Sequence, residues 1–88
     1  MVKAMVRGTV VRSLAGRDAG GWFALLEADG KSALIADGKG RPLERPKRKN
    51  LRHLAFTRRK LEETALHSNR ALRAALRSFC EHCDEGGT

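Results

Sequence analysis

Aromatic residues are scarce in this 88-residue chain, which has one Trp, three Phe and no Tyr. Aliphatic side chains must therefore carry the packing, and few rings remain for stacking on bases. Long apolar runs are also missing. The longest are a few residues, such as WFALL at 22–26, whereas a membrane-spanning helix needs roughly 20. The first thirteen residues, MVKAMVRGTVVRS, hold no apolar stretch long enough for a signal peptide. Two cysteines are too few for a disulfide scaffold. Without an export signal, they point to a cytoplasmic protein with reduced thiols. No nucleophile elbow, phosphate loop or metalloprotease helix occurs. Asp18, Asp29 and Asp37 sit in glycine-containing segments and read first as turn residues. A domain this small rarely offers the cleft that catalysis needs. The expectation is a protein that is not an enzyme and carries no cofactor.

The chain is long enough for one domain, and a domain near this size buries only about 60% of the surface its unfolded form exposes. The net charge is +8, and its placement is the strongest signal in the sequence. Residues 41–60, RPLERPKRKNLRHLAFTRRK, contain nine Lys or Arg against one acid, Glu44. The other 68 residues contain nine basic and nine acidic groups and are neutral. Solvation alone gives no reason to gather the whole excess into 20 consecutive residues. The segregation reads as an electrostatic footprint for a polyanion. A solvated charge run and, for PKRKN, a nuclear-import signal are the weaker alternatives.

The β-branched segment 6–13, VRGTVVRS, predicts a strand. LAGRDAGG at 14–21 is a turn, since glycine supplies the positive φ of tight connections. WFALLEA at 22–28 is a second strand, closed by the hairpin signal Asp29-Gly30. SALIAD at 32–37 is a third, after which Asp37-Gly38 opens another turn. Pro42 and Pro46 lack N–H groups and confine their stretch to an edge strand or extended loop. KNLRHLAF at 49–56 has room for one more strand. Such a meander must hide its edges, and a small barrel does so economically.

From Thr57 the apolar period changes. Leu61, Ala65, Leu72, Ala75, Leu76, Phe79 and Cys83 mostly follow steps of three, four and seven, which predicts amphipathic helix. Thr57 is the candidate cap for its start, and Ser68 the cap for a second helix after a break at 67–69. The helical segment, 58–83, is expected to pack on the barrel in preference to a membrane or a partner helix. The tail at 84–88, DEGGT, is expected to fray.

The sequence around the first turn, a strand, AGRDAG and a second strand, resembles the KOW motif, with Gly16 as its marker glycine and Gly20 closing the turn. The resemblance continues through GTVVRSLAGRDAGGWFALLEAD and LIADGKGRPLERPKRKNLRHL. Together these look like the KOW-domain family of archaeal and eukaryotic large-subunit ribosomal proteins, the e-type protein numbered fourteen. They are also similar to small bacterial KOW-domain proteins described as RNA-binding. Lys49, Asn50, Leu51, His53 and Leu54 follow the order of that family's basic segment, and the likeness covers about residues 6–57. It implies an SH3-like barrel of about five strands that contacts ribosomal RNA. The resulting fold class is mainly β with C-terminal α: a barrel at 1–57, then one or two helices.

Arginine offers a planar fork to two phosphate oxygens, and lysine acts as a point charge. Arg45, Lys47, Arg48, Lys49 and Arg52 lie within eight residues. In an extended chain Lys47, Lys49 and Leu51 share one face, and Arg48, Asn50 and Arg52 the other. One face can pack on the barrel while the other meets RNA. Arg12, Arg17 and Arg41 extend the patch, and Asn50 and His53 are candidates for sugar or base-edge hydrogen bonds. His53 reads equally well as a plain surface histidine. Phe56 is the one aromatic of the basic stretch, and Trp22 and Phe23 belong to a strand expected to enter the core, with exposure of Trp22 for stacking the lesser reading. Structured RNA held by phosphate and 2′-OH contacts is therefore favoured over single strands.

Cys80-Glu81-His82-Cys83 is half of a zinc site with no second pair to complete it. It lies at the C-terminal end of the expected helix, where the dipole opposes a thiolate, so packing of Cys80 or Cys83 as a small hydrophobe is the favoured role, with zinc binding and then redox chemistry the lesser readings. The expectation is a monomeric, non-catalytic protein that binds structured ribosomal RNA of the large subunit. The rival class is a protein-docking adaptor of the transcription or translation machinery.

Overall fold

The computed structural model describes residues 6–87, with side chains described through Ser78. Five strands form one antiparallel sheet: β1 (Thr9–Ser13), β2 (Trp22–Ala28), β3 (Ser32–Ala36), β4 (Lys47–Asn50) and β5 (Leu54–Lys60). Their spatial order is β4-β3-β2-β1-β5. A 3-10 turn at Leu51–His53 joins β4 to β5, a second occupies Glu63–Leu66, and helix α1 runs over Asn69–Gly87. The protein is thus mainly β with one C-terminal helix among the described residues.

Alternation along the strands divides the apolar residues between the two faces of the sheet. Val11, Phe23, Leu25, Ala33, Ile35 and Leu54 form one buried cluster. Val10, Ala24 and Ala36 lie in the other, beneath Leu66, Leu72 and Leu76. Two of the three sheet residues in that second cluster are alanine. Small side chains there let the helix sit close, and Leu72 is fully buried. The helix start is fixed by side chains. Ser68 Oγ accepts from the Ala71 N–H at 3.1 Å, satisfying one of the unpaired N–H groups of a first turn. Asn69 Oδ1 accepts from the Leu43 N–H at 2.7 Å, and Arg73 Nη1 donates to the Gly38 carbonyl at 2.8 Å. Gly38 has φ +78, and a Cβ there would stand 2.5 Å from the Asn69 carbonyl oxygen. The loop after β3 therefore holds the helix through a backbone approach that only glycine permits.

The expected strand at 22–28 has the bounds of β2, and the strands expected at 6–13 and 32–37 form over shorter spans. Two expectations are overturned. Residues 49–56 are not one strand, because Asn50 turns the chain: its Oδ1 accepts from the Arg52 N–H at 2.9 Å and opens the 3-10 turn. Thr57 does not start a helix. It lies inside β5, which pairs with β1, and its hydroxyl donates to the Val10 carbonyl at 2.7 Å. Residues 57–60 hold no apolar side chain to anchor a helix, so pairing with β1 continues the strand, and the helix waits for the break at 67–69. Cys80 and Cys83 lie outside the residues whose side chains are described. No helix among the described residues is long and apolar enough to cross a membrane.

Candidate nucleic-acid interface

The basic segment occupies the β4 edge of the sheet and the turn that follows it. β4 pairs with β3 through Ser32↔Asn50, Ala33↔Lys49, Leu34↔Arg48 and Ile35↔Lys47. This register sets Lys47 and Lys49 on the face of buried Ala33 and Ile35, and both are half-buried. Arg48 and Asn50 point the other way and are exposed. The two faces expected from alternation are therefore present in β4. Arg45 before the strand, and Arg52 and His53 after it, are exposed.

Lys49 has a partner inside the fold. Its side chain is only 10% exposed and stands 3.9 Å from Asp18 Oδ2. Its Nζ donates to the Ala15 carbonyl at 2.8 Å. Arg41 meets the same carboxylate oxygen at 3.3 Å. Asp18, a residue that reads from the sequence only as a turn acid, therefore ties the 14–21 turn to two cations that follow it by 23 and 31 positions. Gly16 has φ +78, and a Cβ there would lie 3.2 Å from Lys49 Nζ, so the glycine leaves room for that ammonium as well as shaping the turn. Gly20 has φ +88. Arg17, between them, is exposed at the tip.

The cations fall into two groups on this geometry. Arg41 and Lys49 hold the turn against the β3–β4 segment and are partly neutralised by Asp18. Arg17, Arg45 and Arg52 are exposed and make no ion pair among the described residues. Arg48 lies between these cases. It donates to Ser32 Oγ at 2.9 Å and stands 3.8 Å from Asp29, both side chains being well exposed. The Ser32 and Lys31 N–H groups, with Arg48, hold the Asp29 carboxyl below its ordinary value. An exposed pair of this kind exchanges readily for another anion, since its net worth in water is small. Asn50 is committed through Oδ1 to capping the 3-10 turn, which leaves its amide N–H groups. The His53 carbonyl accepts from the Leu14 N–H at 2.8 Å, so this residue joins the turn to β1 through its backbone.

Arg12 belongs elsewhere. Its cross-strand partner is Trp22, and its guanidinium lies over the indole, 5.3 Å from the ring centroid. Trp22 itself is half-buried against the helix-side cluster, so the ring enters the core only in part. Arg58, Arg59 and Lys60 complete the basic run on β5, the opposite edge of the pairing order. No group of three metal-ligating side chains occurs among the described residues. No known protein family's sequence pattern matches this chain, and no curated protein matches it.

Proposed function

We propose that this chain is a non-catalytic RNA-binding protein. It holds structured RNA, ribosomal RNA of the large subunit, by phosphate contacts from a basic surface on an SH3-like barrel of the KOW kind. The observation that carries the reading is the placement of charge. The full excess of +8 lies in 41–60, and within it Arg45, Arg48 and Arg52 are exposed along one strand edge and its turn. Arg17 at the glycine turn joins them. The site is suited to gripping a phosphate backbone, because its arginine forks project from the scaffold and, of the acids near them among the described residues, only Asp29 stands beside one, in an exposed pair with Arg48. Asp18 is spent on Arg41 and Lys49, and Glu44 accepts from the Asn69 amide at 2.9 Å.

The barrel reading is supported by a length argument. β4 and β5 are the two ends of the strand order, yet only Leu51–His53 separates them. Four gaps of a flat sheet span about 19 Å at roughly 4.8 Å each. Four steps of fully extended chain reach at most about 14 Å, and a 3-10 turn covers less. The sheet therefore curls, helped by the register shifts between Thr9 and Val11 and between Leu25 and Glu27, since bulges bend and twist strands. The likeness of residues 6–57 to KOW-domain proteins agrees with this architecture.

Sedimentation of the tagged protein with cell lysate through a density gradient tests the proposal. Co-migration with large ribosomal subunits that weakens as salt rises is expected. Absence from every ribosomal fraction at low salt contradicts it. Retention of a protein partner irrespective of salt favours an adaptor instead.

A further inference from the structure

A second group of cations lies outside the basic segment, in the part of the chain that is neutral overall. Between the glycine turn, the loop after β3 and α1 there is a groove of about 300 Å³, bordered by Trp22, Lys39, Arg73 and Arg77. That volume is at the lower end of the roughly 300–1,000 Å³ of small-ligand clefts. Its one acid, Asp37, is occupied: Oδ1 accepts from the N–H groups of Lys39 and Arg41, each at 2.8 Å. Arg73 is fixed by its bond to the Gly38 carbonyl. On the near side, a Cβ added at Gly20 would meet nothing within 4 Å, so the rim is low and open. Arg12 lies over the Trp22 ring.

The geometry points to a binding site for a single unpaired nucleotide of the RNA, with its base in the Trp22 groove and its flanking phosphates on Lys39 and Arg77. This rests on the RNA-binding reading and adds a feature that the bound RNA must have. The arrangement suits a nucleotide in three respects. Trp22 lines the groove and carries the Arg12 guanidinium over its ring, beside the lining, and unpaired bases stack on aromatic and arginine planes. Leu76 supplies an apolar floor beside the ring. The surrounding cations carry positive charge complementary to phosphate, and the carboxylate that could oppose them is turned into its own loop. A paired duplex cannot use the groove, because its bases are stacked inside the helix.

The chain holds one Trp and no Tyr, so its intrinsic emission reports on this groove alone. The test titrates the full chain with a hairpin RNA whose stem is fully paired, and with the same hairpin carrying one bulged adenosine. The bulged hairpin is expected to bind roughly tenfold more tightly, within the range that one stacked base supplies, and to quench Trp22 while the paired hairpin does not. The exposed double variant Lys39→Ala/Arg77→Ala is expected to lose that preference and keep its affinity for the paired hairpin. Arg12→Ala is expected to lose the preference too. Equal binding of both hairpins with unchanged emission overturns the groove and leaves RNA binding standing. Binding of neither hairpin overturns RNA binding itself. Quenching by an oligoglutamate peptide as strong as that by the bulged RNA assigns the groove to a protein partner and overturns the inference.

Discussion

Asp18→Asn removes one carboxylate and exposes the division of labour among the cations. In the native fold its Oδ2 lies 3.3 Å from Arg41 and 3.9 Å from Lys49. Breaking a fully buried ion pair from one side costs about 3–5 kcal/mol, because the other charge is left unpaired. The cost here is smaller for two reasons. Arg41 keeps a third of its side chain in water, and Lys49 retains the Ala15 carbonyl. About 2 kcal/mol is the reasonable magnitude, taken as a discounted share of the buried-pair figure. For a domain of this length that corresponds to a fall in Tm of about 8–16 °C. Thermal unfolding followed by far-UV circular dichroism measures it. Asp29→Asn is the internal comparison, since Asp29 and Arg48 are both exposed and their pairing is worth little. Near neutral pH the expected order is a large loss for Asp18→Asn and a small one for Asp29→Asn. Equal melting of Asp18→Asn and wild type refutes the claim that Asp18 anchors the turn to β4.

Three further outcomes follow from local geometry. Gly38→Ala is expected to destabilise strongly, by about 2 kcal/mol or more, because it combines φ +78 with a backbone oxygen 2.5 Å from the new Cβ. Gly30→Ala, which meets nothing within 4 Å, is expected to be neutral or slightly stabilising in the same chemical denaturation series. Ser68→Ala is expected to cost about 0.5–2 kcal/mol by loss of the N-cap, read as a lower urea midpoint with unchanged slope. Asp29 has a folded-state pKa below its ordinary value, first through the Ser32 and Lys31 N–H groups. Its stabilising contribution is therefore complete above the unfolded carboxyl pKa, near 4, and is lost as pH falls through the depressed folded value. Melting temperature against pH should fall less steeply in Asp29→Asn than in wild type over that acid window, and parallel profiles would count against the assignment.

Much of the sheet is legible in the sequence because the strands are short, β-branched or alternating, and separated by Asp-Gly and glycine-rich turns. β2 is the clearest case. The edge strand was also legible in its sidedness: Lys47 and Lys49 face inward and Arg48 and Asn50 outward, as period-two alternation requires. What local pattern missed was set by distant partners. Residues 57–60, where the change of period places the start of a helix, hold no apolar side chain to bury on a helix face, and β1 captures them as the end of a strand, with the Thr57 hydroxyl on the Val10 carbonyl. Asp18 gives no local sign of its reach to Arg41 and Lys49, and a charge run counts those cations as equal to Arg45 and Arg52. Nor does sequence place Arg12 over Trp22, because a cross-strand pair depends on register. Of the positive signals, the run at 41–60 marked the surface, and the fold decided which of its members face outward.

The salt dependence of affinity for a structured fragment of large-subunit ribosomal RNA, compared between wild type and Arg45→Ala/Arg48→Ala/Arg52→Ala, decides whether the β4 edge holds RNA. Each lost phosphate contact lowers the slope of log K against log salt by roughly 0.7–0.9. The triple variant is therefore expected to bind more weakly at low salt, with a slope flatter by about 2–3. An unchanged affinity and slope in a folded triple variant would contradict RNA recognition through this edge.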